Sequence, residues 1–258
     1  MSSVSDLPIL EFDRIGFSYT RNGSFIKDLA LSVREGQFIG LLGANGSGKS
    51  TFLKLGGGIL RPSAGNRMLW GKPFDSYSNR DRAKLISYLP QSVDVTVPFT
   101  ILELVSMGLY PYDIRPAMTP EEALDMVGLL DRSGDHLTDL SGGEQRRTFI
   151  AMTLLQGAGL LLLDEPLANL DIRYQIELLR LLKKLREGRN ISIVMALHDI
   201  NIALQLEKVM LIKNGEILGT GAPPEVLTEE AIREAFGVKV KIIRQRGENA
   251  YVSYENNF

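Results

Sequence analysis

Short, unbroken apolar runs punctuate this chain, separated by longer stretches in which polar and apolar residues mix. Three runs stand out: Phe38-Ile39-Gly40-Leu41-Leu42, then Leu160 to Leu163, then residues 191–197. Runs this short and this apolar predict strands buried on both faces, as in a parallel sheet. Each hands on to glycine or polar residues: Gly43, Asp164-Glu165 and His198-Asp199. Open α/β sheets bind ligands at the carboxyl ends of their strands, so these residues are the first candidates for chemistry. Two hairpins are predicted beside this core. Residues 209–212 and 216–218 flank an Asn214-Gly215 turn, and 238–244 and 250–254 flank Arg246-Gly247-Glu248-Asn249. The stretch 100–157 reads as helical, and Thr119-Pro120-Glu121-Glu122 has the cap, proline and glutamate of a helix start. The expected architecture is one α/β domain over residues 1–258, with an antiparallel β part and a helical subdomain inserted at about 92–157.

Composition narrows the function classes. The 258 residues are 44% hydrophobic and 23% charged, with a formal net charge of −2. There is no global basic field to attract nucleic acid, which is not expected as a partner. The absence of cysteine excludes disulfides, thiolate metal sites and cysteine nucleophiles. Residues 1–6 lack a basic-then-apolar signal pattern, and no apolar run approaches the roughly 20 residues of a membrane span. A cytoplasmic location is expected, with any membrane association made through a partner.

Gly43-Ala44-Asn45-Gly46-Ser47-Gly48-Lys49-Ser50 matches the phosphate-binding P-loop and sits where that motif must sit, between a predicted strand and a predicted helix. Glycines let backbone N–H groups turn inward around phosphate oxygens, and the helix N-terminus adds positive potential. Lys49 is placed for the β- and γ-phosphates and the Ser50 hydroxyl for Mg²⁺. The plain alternative, an ordinary glycine-rich turn, is disfavoured by the strand–loop–helix context. Gly56-Gly57-Gly58 soon interrupts the following helix, so either the helix ends there or something packs closely against it.

Asp164 and Glu165 close the second run as a Walker B strand does. Asp164 suits Mg²⁺, and Glu165 suits polarising a water as general base. Without a P-loop the pair would be read as the solvated end of a buried strand. His198 closes the third run. A lone histidine there is ordinarily a structural hydrogen-bonder, but the company of the P-loop and Asp164-Glu165 favours a γ-phosphate contact. His136 is assigned no role.

Leu140-Ser141-Gly142-Gly143-Glu144-Gln145 resembles the signature of ABC ATPases, which other P-loop families lack. It also reads as a helix start with Ser141 as cap and Glu144 as the reciprocal member of a capping box, and both readings can hold. The resemblance spans nearly the whole chain, with its parts in family order. It implies a P-loop NTPase of the ABC ATPase type. Tyr19 would stack on adenine, Thr51 would lie with Ser50 at the nucleotide, and Gln91 would end the Q-loop and reach Mg²⁺ beside Ser50 and Asp164. Leu170-Asp171 would form the D-loop, and His198 would be the switch histidine. It also implies a dimer in which each ATP lies between one P-loop and the partner's Ser141, Gly142, Gly143 and Glu144.

The interval from Gln91 to Ser141 leaves room for a helical subdomain and no long coiled coil, which argues against a repair or chromosome ATPase. Residues 97–112 resemble ATPases of importers for iron–siderophore complexes, haem and cobalamin, although Leu109 and Tyr112 stand where those often have Arg and His. Importers of zinc, manganese and molybdate are not far away. The resemblance therefore implies an ATPase that energises uptake through separate membrane permease subunits, served by an extracytoplasmic substrate-binding protein. The alternative is a soluble, non-transport ABC ATPase such as an iron–sulfur assembly subunit. Phe99, Leu109, Tyr110 and Tyr112 look exposed and would lie beside the permease contact; the plainer reading, favoured for most of them, is that they pack the helical subdomain.

Overall fold

In the computed structural model, which describes residues 8–20, 23, 25–92, 98–114, 116–244 and 250–254, all three apolar runs are strands. Residues 1–6, Val97 and the expected turn 246–249 lie outside the described residues. The chain divides into two compact units, Met1–Phe74 with Val194–Phe258, and Asp75–Ile193. The first unit begins with β1 (Pro8–Phe17), β2 (Ile26–Arg34), β3 (Phe38–Leu42), α1 (Lys49–Gly56), β4 (Ala64–Leu69) and β5 (Lys72–Pro73). The second runs through α2 (Asn79–Leu85), β6 (Ile86–Leu89), α3 (Ile101–Ser106), α4 (Pro120–Met126), α5 (Gly142–Leu155), β7 (Leu160–Leu163) and α6 (Ile172–Arg189). The chain then continues with β8 (Ser192–Leu197), α7 (Ile200–Ala203), β9 (Lys208–Lys213), β10 (Glu216–Gly221), α8 (Pro223–Val226), α9 (Glu229–Phe236), β11 (Val240–Ile243) and β12 (Tyr251–Tyr254).

In the first unit β3 lies between β9 and β8, and it runs parallel to β9 from Ile39↔Lys208 to Leu42↔Leu211. All five β3 residues are buried, which is why the run lacks the polar alternation of a one-sided strand. A separate antiparallel sheet has the order β2-β1-β4-β5. Asn214 and Gly215 turn β9 into β10 with φ of 49° and 80°, the left-handed pair a two-residue hairpin needs. β11 and β12 form the second expected hairpin, and the Val252 N–H donates to Asn201 Oδ1 at 2.7 Å.

The glycine triplet terminates α1. Gly58 takes φ 74°, the Ile59 N–H reaches Lys54 O at 2.9 Å and the Gly58 N–H reaches Leu55 O at 3.3 Å, which is a Schellman closure. The buried Arg67 guanidinium adds donors to Leu55 O at 2.6 Å and Leu60 O at 3.1 Å and stacks on Phe74. Both alternatives read from the sequence therefore hold: the helix ends, and a side chain closes over its end.

In the second unit β6 and β7 pair parallel from Ile86↔Leu160 to Leu89↔Leu163. Helices α3, α4 and α5 each start on a full capping box: Thr100 with Glu103, Thr119 with Glu122, and Ser141 with Glu144. α5 is buried on nearly all sides from Arg146 to Leu155 and is the axis on which α3 and α4 pack. Leu109 and Tyr112 follow the plainer reading and pack the subdomain. Leu109 is buried, and the Tyr112 hydroxyl donates to Gln156 O at 2.8 Å, with burial pushing its pKa up. The reason is the approach of this segment to α5: a Cβ on Gly108 would come within 2.6 Å of Met152 O. Tyr110 at 89% exposure and Ile114 at 87% face solvent most fully here, and Phe99 and Met107 are exposed as well.

Candidate functional site

The phosphate loop belongs to the first unit. β3 ends in the core at Leu42, and the chain turns at Gly43, where a Cβ would meet Ile212 O at 2.4 Å. Gly46 and Gly48 have φ of 77° and 113°, and the space beside Gly46 is open for 4 Å. Gly48 caps α1 without any side-chain bond, so the first N–H groups of that helix are left to an incoming anion. Lys49 is buried, and its ammonium donates to Gly43 O at 2.8 Å and Ala44 O at 3.2 Å, which folds the loop around it. The buried Ser47 Oγ has no hydrogen-bond partner among the described residues. These are the features of a cradle for phosphate oxygens.

Tyr19 and His198 belong to the same unit. Tyr19 follows β1 and is 60% exposed, with its hydroxyl 2.7 Å from Thr51 Oγ1 and its ring edge-on to Phe17. It is therefore an outward-facing ring fastened to the helix that carries Lys49 and Ser50. His198 emerges exposed from β8, and Asp199 behind it caps α7 by accepting from the N–H groups of Asn201 and Ile202. Gly215, read from the sequence as a turn residue alone, also has an N–H that holds Ser47 O at 2.7 Å and braces the loop from the β9–β10 turn. No side chain fits there, since a Cβ would lie 2.0 Å from Phe25 O.

The acidic and signature residues belong to the second unit. Asp164 ends β7 and is 1% exposed; its Oδ2 accepts from the Tyr88 hydroxyl at 3.4 Å and its N–H bonds Leu89 O at 2.9 Å. Glu165 is half-buried with φ 49°, a left-handed conformation costly for a glutamate, of the kind kept where a side chain must be aimed. Gln91 donates to its Oε2 at 3.0 Å. Arg146, a residue not singled out from the sequence, is buried, and its guanidinium donates to the carbonyls of Pro90, Gln91 and Asp164. Desolvation pushes the Arg146 pKa down, opposed by the charges of Asp164 and Glu165.

Ser141 and Gly142 are exposed at the start of α5. Glu144 Oε2 accepts from the Ser141 N–H at 2.9 Å and hydroxyl at 2.7 Å, while Oε1 accepts from Arg132 Nη1 at 2.6 Å. The Ser141 bonds first, and then Arg132, hold the Glu144 carboxyl down at about 2. A Cβ on Gly143 would come within 3.2 Å of Asn169 O, so the signature sits close against the backbone before Asp171. Asp171 is the N-cap of α6 but makes no side-chain cap bond and is exposed.

A glycine-rich loop at an uncapped helix start, a buried aspartate followed by a strained glutamate, and a serine–glycine cap before the aspartate strand define a P-loop NTPase of the ABC ATP-binding type. The sequence pattern of the ABC transporter family matches residues 26–168, and the chain belongs to that family. It is 37% identical to a petrobactin import ATP-binding protein of Bacillus anthracis, over 85% of this chain and 84% of that one. It is 33% identical to a cobalamin import ATP-binding protein of Halobacterium salinarum over 84% of this chain, and spans just over half, 56%, of that relative's length. Among solved structures it resembles a metal-chelate type ABC transporter in an inward-facing conformation, with a TM-score of 0.80, 25% identity and coverage of 97% of this chain and 98% of that one. A dimeric ATP-binding cassette in a post-hydrolysis state with ADP and phosphate gives a TM-score of 0.76 at 27% identity, covering 83% of this chain and 98% of that one.

Proposed function

We propose that this chain binds and hydrolyses ATP as half of a nucleotide-sandwich dimer and so energises uptake through separate membrane permease subunits. The observation that carries the reading is the cradle formed by Gly43 to Ser50, with Gly46 and Gly48 in left-handed conformations and the α1 start left uncapped. Asn45, Gly46, Ser47 and Gly48 would present N–H groups to the phosphates, with Lys49 countering their charge, while Tyr19 would stack on the base. Glu165 would polarise the attacking water and His198 would contact the γ-phosphate. Ser141, Gly142, Gly143 and Glu144 would serve the partner's nucleotide, with Asp171 beside them.

Among the described residues no cluster of three or more acidic or imidazole groups could hold a metal ion alone. Ser50, Gln91 and Asp164 each offer the hydroxyl, amide or carboxylate oxygen chemistry that suits Mg²⁺, a hard ion that keeps several waters and takes phosphate oxygens in place of a protein cage. When bound, Mg²⁺ supplies charge neutralisation on the β- and γ-phosphates.

The names of the relatives favour an importer of a metal chelate, haem or cobalamin. No helix among the described residues is long and apolar enough to cross a membrane. In keeping with the relatives' names as ATP-binding proteins, the permease would be a separate chain and this one peripheral to the cytoplasmic face. A substrate-binding protein outside the membrane would deliver the cargo, which never meets this chain. The helical segment at about 92–157 would carry the permease contact, with Tyr110 and Ile114 the most exposed of its apolar residues. The test is co-expression with a candidate permease in vesicles, measuring ATP hydrolysis and ATP-dependent uptake of an iron–siderophore, haem or cobalamin. Hydrolysis without membrane association or uptake sinks the transport half; absence of hydrolysis sinks the whole reading.

A further inference from the structure

β6 and β7 run parallel, and their ladder stops where a proline enters. The last register pair is Leu89↔Leu163, and the last bond runs from the Asp164 N–H to Leu89 O at 2.9 Å. Pro90 has no N–H to continue it, so the strands would part with their carbonyls unpaired in the core. The residues that leave this fork are Gln91 on one strand and Glu165 on the other, whose side chains meet at 3.0 Å.

Arg146 closes the fork. It lies in the second turn of α5, the helix that Ser141 caps, and is 7% exposed. Its Nη1 donates to Pro90 O and to Gln91 O at 3.1 Å, and its Nη2 donates to Asp164 O at 2.6 Å. A planar, rigid fork can span two strand ends in this way; a lysine, with a single point of donation, cannot take both sides with the same geometry. The N-terminus of α5 is thus tied by one side chain to the backbone carrying Gln91 and Glu165.

We infer that Arg146 is a positioning residue for hydrolysis: it sets the separation of the two strand ends, and through them the aim of Gln91 and Glu165, according to the position of the signature helix. The inference rests on the proposed ATPase function. It predicts that Arg146 acts on turnover and not on nucleotide binding, since the carbonyls it holds, of Pro90, Gln91 and Asp164, lie outside the phosphate loop.

The experiment compares the parent chain with Arg146→Lys and Arg146→Gln, measuring nucleotide affinity with a fluorescent ATP analogue and kcat per titrated nucleotide-binding site. Both variants should bind within about twofold of the parent and lose about tenfold or more in kcat, since misplacements of an ångström cost that much or more. Hydrogen exchange in Arg146→Lys should quicken in peptides covering 86–92 and 160–168 while the body of α5 stays protected. A kcat per site within about twofold of the parent, affinity falling in step with kcat, or unchanged exchange at both strand ends overturns the inference. Failure of both variants to fold would make the clasp a folding requirement and also overturns it. If the parent itself does not hydrolyse ATP, the proposed function falls; if it does and the variants match it, only this inference falls.

Discussion

Gln91 donates a side-chain N–H to the Glu165 carboxylate at 3.0 Å, across the open ends of two parallel strands. Glu165 holds a left-handed φ of 49° to make that contact. An amide donor fixes the carboxylate's direction without neutralising it, which suits a group that must accept a proton from water.

Glu165→Gln keeps the shape of the side chain and removes the base. ATP binding should persist while kcat falls by about a hundredfold or more. Gel filtration with ATP should then show a dimer, and without nucleotide a monomer. Turnover at the parent rate would show that another group is the base.

Tyr19 separates stacking from hydrogen bonding. Tyr19→Phe loses only the bond to Thr51 Oγ1 and should change KM for ATP little. Tyr19→Ala loses the exposed ring, and stacking worth about 1–3 kcal/mol should raise KM by about tenfold with kcat nearly unchanged. Equal effects from both substitutions would shift the role of Tyr19 to support of α1.

Acid should loosen the signature cap. The Glu144 carboxyl in the folded chain is held at about 2 against an ordinary 4.5, through its bonds to Ser141 and then Arg132. A depressed carboxyl contributes stability that is complete above about 4.5 and drains away as pH falls towards about 2. The stability advantage of the parent over Glu144→Gln should therefore shrink between pH 6 and pH 3, followed by thermal melting. An advantage constant over that window would mean the carboxylate charge contributes nothing there.

Leu109 and Tyr110 are neighbours with opposite consequences. Leu109→Asp places a charge in the core against α5 and should cost about 3 kcal/mol or more in urea unfolding. Tyr110→Ala, at a side chain 89% exposed, should change stability by less than about 0.5 kcal/mol. In permease pull-down, Tyr110→Ala and Ile114→Asp are the informative variants. Normal binding and uptake in both would move the docking site elsewhere.

What the sequence determined by itself was local. The phosphate loop, the capping boxes at Thr119 and Ser141, and the Asn214-Gly215 turn each arise from residues a few positions apart, so their chemistry is legible as spacing. The apolar runs were equally plain, because strands buried on both faces admit no polar alternation. Tertiary structure alone decided the rest. Arg146 reaches across 55 positions to Gln91 O, and Gly215 reaches Ser47 O from a distant hairpin, both through backbone carbonyls that carry no side-chain signature. Whether Leu109 and Tyr112 face a partner or pack the subdomain was open in the sequence. They are covered because Gly108 lets the chain come against α5, and such contact depends on what the fold brings alongside.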